Sequence, residues 1–343
     1  MPLFAGPVPS QPTLTTTVAR EYVHRAAHSE VFLTGWRDTG EDTFTVTAQW
    51  PRSHSFFVSE HALYDPLLLC ETIRQSLPLL SHAAYGVPFG HQLSWSHFQY
   101  ELNPQAMRIE QAPADIQLNV TCRDIVYRRG VPTSLSMHFE ILRGDLLLGS
   151  ASTVFICVAP AIYRRMRAEH GDVEAVFGSA PAPSPALPTQ VCGRDRVQDV
   201  VLSPSPTPQV PGRRWQLRVD TTHPVLFDHP VDHAPGMLLM EAIRQAAHAL
   251  TPAADITALS SMDITFHHYV EFDSPCWVDA RPMPSAEPGE PRGILVEVAQ
   301  NDRTMLTAVT GVTDLLSPQL IAGQLTDGVG AEVVGAAVAA AAR

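Results

Sequence analysis

With 343 residues, 45% of them hydrophobic, the chain can bury two ordinary domain cores or one of double size, and a net charge of −12 at pH 7 excludes a general nucleic-acid surface. All 23 basic residues are arginine. That excludes a Schiff-base lysine and a Walker-type phosphate lysine, and leaves any anionic substrate to arginine, histidine or backbone N–H groups.

Residues 1–12 are proline-rich and read as disordered, and a first unit spans 13–177. Within it, residues 44–50 alternate as a strand and 66–82 carry the apolar spacing of a helix. Strand patterns follow at 92–102, 116–127, 134–143 and 146–158, with Arg143-Gly144-Asp145 as a hairpin turn. A stiff proline-rich linker occupies 178–190. The second unit, 191–324, offers a strand at 215–221, a helix at 236–250 and strands at 258–272, 275–281, 293–300 and 305–313, and a flexible Ala/Gly-rich tail covers 325–343. One long helix followed by antiparallel strands, twice over, predicts an α+β fold in which each sheet wraps a central helix.

The two units say the same thing. Asp65-Pro66-Leu67-Leu68-Leu69-Cys70-Glu71-Thr72-Ile73-Arg74-Gln75 returns as Pro235-Gly236-Met237-Leu238-Leu239-Met240-Glu241-Ala242-Ile243-Arg244-Gln245, with Glu, Arg and Gln at one common interval. The same interval sets Tyr100-Glu101-Leu102-Asn103 against Val270-Glu271-Phe272-Asp273. Upstream it slips by one residue, setting Val31-Phe32-Leu33 against Val200-Val201-Leu202 and His54 against His223.

The segment from Asp232-His233 through Pro235-Gly236-Met237 to Glu241, Arg244 and Gln245, its first-copy counterpart, and Val87-Pro88-Phe89-Gly90 resemble the A-factor biosynthesis family of actinomycete γ-butyrolactone and furan synthases. The resemblance covers residues 30–315 and implies a tandem, or double, hotdog fold. It implies transfer of a β-ketoacyl group from acyl carrier protein to dihydroxyacetone phosphate. Intramolecular condensation would then lead to a γ-butyrolactone-, butenolide- or furan-type signalling molecule. The matching family residues are Glu71, Glu241 and Arg244, with Arg74 as the first-copy counterpart.

These residue types suit that chemistry. Glu and Arg three positions apart share a helical face, and burial raises a carboxyl pKa while arginine lowers it, so Glu241 and Glu71 are candidate general bases with Arg244 beside Glu241. Arg74 and Gln245 are candidate substrate-binding residues, and the N–H groups of Gly236 and Met237 can receive an oxyanion. His54 and His223 are expected to cross between copies, His54 toward Glu241 and His223 toward Glu71. His229 and His233 compete for that role. His267-His268, on a strand, would point to opposite faces and read as satisfied residues, and Cys70 reads as a small core side chain. Trp95, Phe98 and Tyr100 are expected to line or back an acyl tunnel.

The remaining expectations are negative or open. Arg123, Arg128 and Arg129, then Arg164, Arg165 and Arg167, read as solvated surface, with docking of an acidic partner as the sharper alternative. The five cysteines are odd in number and widely spaced, so no disulfide framework, metal site or cofactor is expected. No signal peptide is visible and no apolar run approaches the ~20 residues that cross a bilayer, so a cytoplasmic monomer or homodimer is expected. The alternatives to the synthase reading are an acyl-thioester dehydratase or thioesterase, and a non-catalytic acyl-binding regulatory module.

Overall fold

A computed structural model describes residues 16–58, 61–206, 214–252, 256–284 and 291–315. The segments 1–12 and 325–343, expected to be disordered or flexible, lie outside the described residues. The first copy contains β1 (Leu33–Gly40), β2 (Thr43–Trp50), α1 (Pro66–Ala83), β3 (Gln92–Leu102), β4 (Ala114–Arg128), β5 (Val131–Arg143) and β6 (Leu146–Val158). Two short helices follow, α2 (Pro160–Arg167) and α3 (Val173–Gly178). The second copy contains β7 (Leu202–Pro204), β8 (Arg214–Leu217), α4 (Gly236–Leu250), β9 (Thr257–Phe266), β10 (Cys276–Pro282), β11 (Arg292–Gln300) and β12 (Arg303–Asp314).

The described strands form one 12-stranded sheet in the order β1-β2-β4-β5-β6-β3-β9-β12-β11-β10-β8-β7. Read outward from the centre, each half has the same order. The halves join through antiparallel β3 and β9, from His97 opposite Thr265 to Glu101 opposite Ser261. This is the tandem hotdog, with α1 and α4 in contact inside the wrap.

The two central helices start differently. At α1 the Asp65 side chain accepts from the Leu67 N–H at 2.9 Å, and Pro66 supplies a preset φ at the first helical position. At α4 the N-cap is Pro235, which offers no side-chain acceptor. The Pro235 carbonyl accepts from Leu238 and Leu239 N–H, while the first two N–H groups of α4, those of Gly236 and Met237, receive no side-chain cap. Leu67, Leu69, Ile73, Met240 and Ile243 are among the residues that anchor both helices in a continuous core.

Four elements escaped the sequence reading, two of them, β7 and α3, because they are too short to show a period. Strand β1 is an edge strand whose outer residues are exposed, so it shows no apolar alternation. Helix α2 exposes Ile162 and Met166 while burying Tyr163 and Arg167, which inverts the usual pattern. Strand β9 ends at Phe266, short of residue 272. The common interval also fails beyond the helices. Tyr100, Glu101 and Leu102 lie within β3, whereas Val270–Asp273 follow the end of β9, because α4 is 15 residues long against 18 for α1 and the connection from helix to strand is shorter as well.

Candidate active site

Glu71 and Glu241 are each fully buried. Glu71 meets Arg74, three residues on, at 2.8 Å, and Glu241 meets Arg244 at 2.9 Å. Each carboxylate has a second guanidinium that the sequence reading did not single out. Arg25 lies 2.6 Å from Glu71 and Arg194 lies 2.6 Å from Glu241. Gln75 and Gln245 donate to the same carboxylates at 2.7 and 2.5 Å. Burial pushes both carboxyls up, and the paired arginines outweigh it, holding Glu71 and Glu241 each at about 2. A carboxylate so held is a weak proton acceptor, which removes the balance on which the general-base expectation stood. Its structural consequence is to fix two guanidiniums in place.

The clusters reach across the duplication. Arg25 donates to the Val225 carbonyl at 3.0 Å, and Arg194 donates to the Phe56 carbonyl at 2.8 Å. Each copy thus anchors the loop of the other. Arg25 and Arg194 stand apart by the same interval as His54 and His223, and that was the available signal.

Two cavities follow from this crossing. The larger, about 570 Å³, is lined by Arg25 and Arg74 of the first copy and by Ala234, Pro235, Gly236 and Met237 of the second. Leu77, Pro78, Leu93, Trp95, Leu226, Leu239 and Phe266 form an apolar wall. The smaller, about 410 Å³, places Arg194 and Arg244 against Asp65 and Pro66 at the start of α1. Asp65 lies 3.3 Å from Arg194, so this cavity already holds a carboxylate where the larger one presents bare N–H groups.

The structure therefore regroups the predicted site. Gly236 and Met237 face Arg74 and Arg25, not Glu241 and Arg244. Neither glutamate lines either cavity. Gln245 is fully buried, accepting from Val201 N–H and donating to the Asp199 carbonyl, so it braces the loop and is withdrawn from substrate. Gln75 makes the equivalent bonds to Phe32 and Glu30.

His54 and His223 do not cross to the opposite glutamates. The Nδ1 of His54 accepts from Phe56 and Phe57 N–H, and its Nε2 faces Glu30 at 3.3 Å. In the second copy His223 accepts from Val225 and Leu226 N–H and faces Asp199 at 3.1 Å. Both rings spend Nδ1 shaping a loop and turn Nε2 toward a carboxylate of their own copy. The histidines that line the larger cavity are His24, His229, His233, His267 and His268. His267 and His268 follow the end of β9 at Phe266 and each has a polar partner, Thr307 and Arg303.

Trp95 lines the larger cavity, whereas Phe98 and Tyr100 are plain core. Cys70 is also core, its thiol pushed well up by burial. Arg167 is not surface. It is buried between Asp232 at 2.9 Å and Glu271 at 2.7 Å. Among the described residues no helix is long and apolar enough to cross a membrane.

Comparison with known proteins gives a consistent result. The profile of the A-factor biosynthesis hotdog domain matches residues 8–159 and 179–313. A "2-oxo-3-(phosphooxy)propyl 3-oxoalkanoate synthase" of Streptomyces virginiae is 45% identical over 300 residues, covering 87% of this chain and 98% of that protein. Proteins of the same name from Streptomyces griseus and Streptomyces coelicolor are 40% and 38% identical, covering 79% and 77% of this chain and 87% and 82% of their own length.

Proposed function

The chain belongs to the A-factor biosynthesis hotdog family, and we infer from this that it is a 2-oxo-3-(phosphooxy)propyl 3-oxoalkanoate synthase. It transfers a β-ketoacyl group from a thioester to dihydroxyacetone phosphate. The ester it makes carries an acidic methylene between two carbonyls and a ketone within reach of it. Intramolecular aldol-type condensation then closes a phosphorylated butenolide, a precursor of γ-butyrolactone-type signals. Dehydratase and thioesterase readings are set aside, since neither uses a phosphate-bearing acceptor.

The observation that carries the site assignment is the pairing, in the larger cavity, of two fixed guanidiniums with an uncapped helix N-terminus. Arg25 and Arg74 bind the acceptor's phosphate by charge-assisted hydrogen bonds. The N–H groups of Gly236 and Met237 receive the thioester carbonyl oxygen as it becomes an oxyanion. A Cβ at Gly236 would lie 2.5 Å from the Trp95 ring, so glycine lets that ring close over the reacting carbonyl. The apolar wall from Leu77 to Phe266 takes the acyl chain. Glu71 acts through the arginines it holds. The smaller cavity, with Asp65 at the helix start, does not bind phosphate, and each chain has one site.

The donor is carried by an acyl carrier protein. This reading is supported by α2, where Met166 is exposed and also lines the larger cavity, beside exposed Ile162, Arg164 and Arg165. No ion pair engages Arg164 or Arg165 among the described residues, which suits an acidic partner protein delivering its thioester arm to the cavity mouth. Purified protein given a β-ketoacyl carrier-protein thioester and dihydroxyacetone phosphate should release carrier thiol and form the phosphorylated ester, read by mass spectrometry. Folded protein that yields neither would refute the function.

A further inference from the structure

Ester formation requires a proton acceptor for the attacking hydroxyl, and the two helix glutamates are too tightly ion-paired and too deep to serve. Resting on the synthase reading, we propose that His233, oriented by Asp232, is the general base of the acyl transfer.

Asp232 is buried and receives three donors: Tyr163 Oη at 2.9 Å, Arg167 Nε at 2.9 Å and His233 Nδ1 at 2.7 Å. With Tyr163 and Arg167 donating, Asp232 stays ionised and must accept from the imidazole. That fixes the proton on His233 Nδ1 and leaves the Nε2 lone pair free, as general-base work demands. The ring lines the larger cavity three residues before Gly236. It therefore stands beside the N–H groups assigned to the oxyanion. Tyr269 packs against it edge-on with ring centroids 4.6 Å apart, and the Arg167 guanidinium sits over the Tyr269 ring, 4.4 Å from its centroid. A ring gripped this way is held for a purpose beyond packing.

The other cavity histidines are committed elsewhere. His24 is pushed down to about 3, first by burial and then by Arg74, and is bonded to His82. His268 accepts from Arg303 at 2.9 Å, and His267 meets Thr307 at 3.3 Å. His229 also has an aspartate partner, Asp228 at 2.5 Å, but Asp228 lies 3.5 Å from Arg25, at the phosphate end of the cavity.

In the step, His233 Nε2 takes the proton from the primary hydroxyl of dihydroxyacetone phosphate as its oxygen bonds to the thioester carbonyl carbon. The carbonyl electron pair moves to oxygen at the Gly236 and Met237 N–H groups. Collapse re-forms the carbonyl and breaks the C–S bond, and the imidazolium returns its proton to the departing thiolate. No oxidant or further reactant enters.

His233→Ala and His233→Gln should each lower kcat by ~10²–10⁴-fold, with dihydroxyacetone phosphate affinity and melting temperature near wild type. Free imidazole should partly restore turnover to His233→Ala and not to His233→Gln, which fills the space. Asp232→Asn should lower kcat with KM for dihydroxyacetone phosphate unchanged, as befits a positioning residue. Turnover of either folded His233 variant at the wild-type rate would overturn the assignment while leaving the synthase function intact. A wild-type enzyme that forms no ester would instead refute the function itself.

Discussion

Asp65 in the first copy and Arg194 in the second form an ion pair at 3.3 Å, while the same carboxylate caps α1 through the Leu67 N–H. The ion pair has a counterpart in the larger cavity, where Asp228 lies 3.5 Å from Arg25, so what Asp65 adds is closure of a helix N-terminus in the cavity that would otherwise mirror the phosphate site. Calorimetric titration with dihydroxyacetone phosphate should accordingly show one site per chain. Asp65→Ser keeps an oxygen for the cap and removes the charge, so it should create a second, weaker site for inorganic phosphate. An unchanged stoichiometry in that variant would mean Asp65 is not what closes the second cavity.

Arg74 is expected to bind the acceptor and not the acyl chain. Arg74→Met removes charge-assisted hydrogen bonds worth about 1.5–3 kcal/mol. It should raise KM for dihydroxyacetone phosphate by roughly ten- to a hundredfold while leaving KM for the acyl thioester near wild type. Steady-state kinetics with each substrate varied in turn checks the split.

Acid stability should report the two buried clusters together. Glu71 and Glu241 ordinarily titrate at 4.5 and are held at about 2 in the folded chain. Above pH 4.5 their full stabilisation is present. As the pH falls below that, the unfolded chain takes up protons that the folded chain refuses, and the stabilisation is lost on the way down to about 2. Urea unfolding should show stability falling steeply over this range. Glu241→Gln should shrink that slope and lower the melting temperature, since Arg194 and Arg244 are then left without their carboxylate, at a cost of about 3–5 kcal/mol. Glu71→Gln should do the same and also raise KM for dihydroxyacetone phosphate, because the arginines it releases face substrate.

Gly236→Ala drives a methyl group against the Trp95 ring, which has to swing into the cavity. Turnover should fall, and the loss should grow with acyl chain length as the displaced indole takes up tunnel space. An unchanged chain-length profile, read from competing thioesters by mass spectrometry, would count against the closure assigned to Trp95.

Reversing charge on α2 tests the donor. Arg164→Glu combined with Arg165→Glu should raise KM for a carrier-protein thioester and leave KM for a small N-acetylcysteamine thioester unchanged, since the small donor touches only the cavity.

The parts legible in the sequence are those governed by local pattern. Residues 66–82 and 236–250 announced the helices α1 and α4 because a nearly continuous apolar face demands a surrounding sheet, and the turns at Gly144 and at Asn301-Asp302 carry the positive φ expected of tight hairpins. The Glu-Arg and Glu-Gln pairs on each helix were readable from spacing alone. What stayed hidden depends on the crossing of copies. Arg25 and Arg194 sit in short loops with no periodicity, so nothing local marks them as partners of a distant glutamate. The composite cavity was hidden for the same reason, since the helix start of one copy meets the arginines of the other only after the sheets join. His54 and His223 repeated faithfully, yet repetition alone does not separate a loop brace from a substrate contact.

Antiparallel β3 and β9 make the chain its own partner, and covalent fusion relaxes a constraint that identical subunits obey. In a symmetric pair of separate chains, any change to one helix start is imposed on both. Here the first could acquire an aspartate and become a strut while the second stayed open for chemistry. Gene duplication in this architecture is thus a route to asymmetry: one half specialises in holding, the other in reacting, within a single translated product.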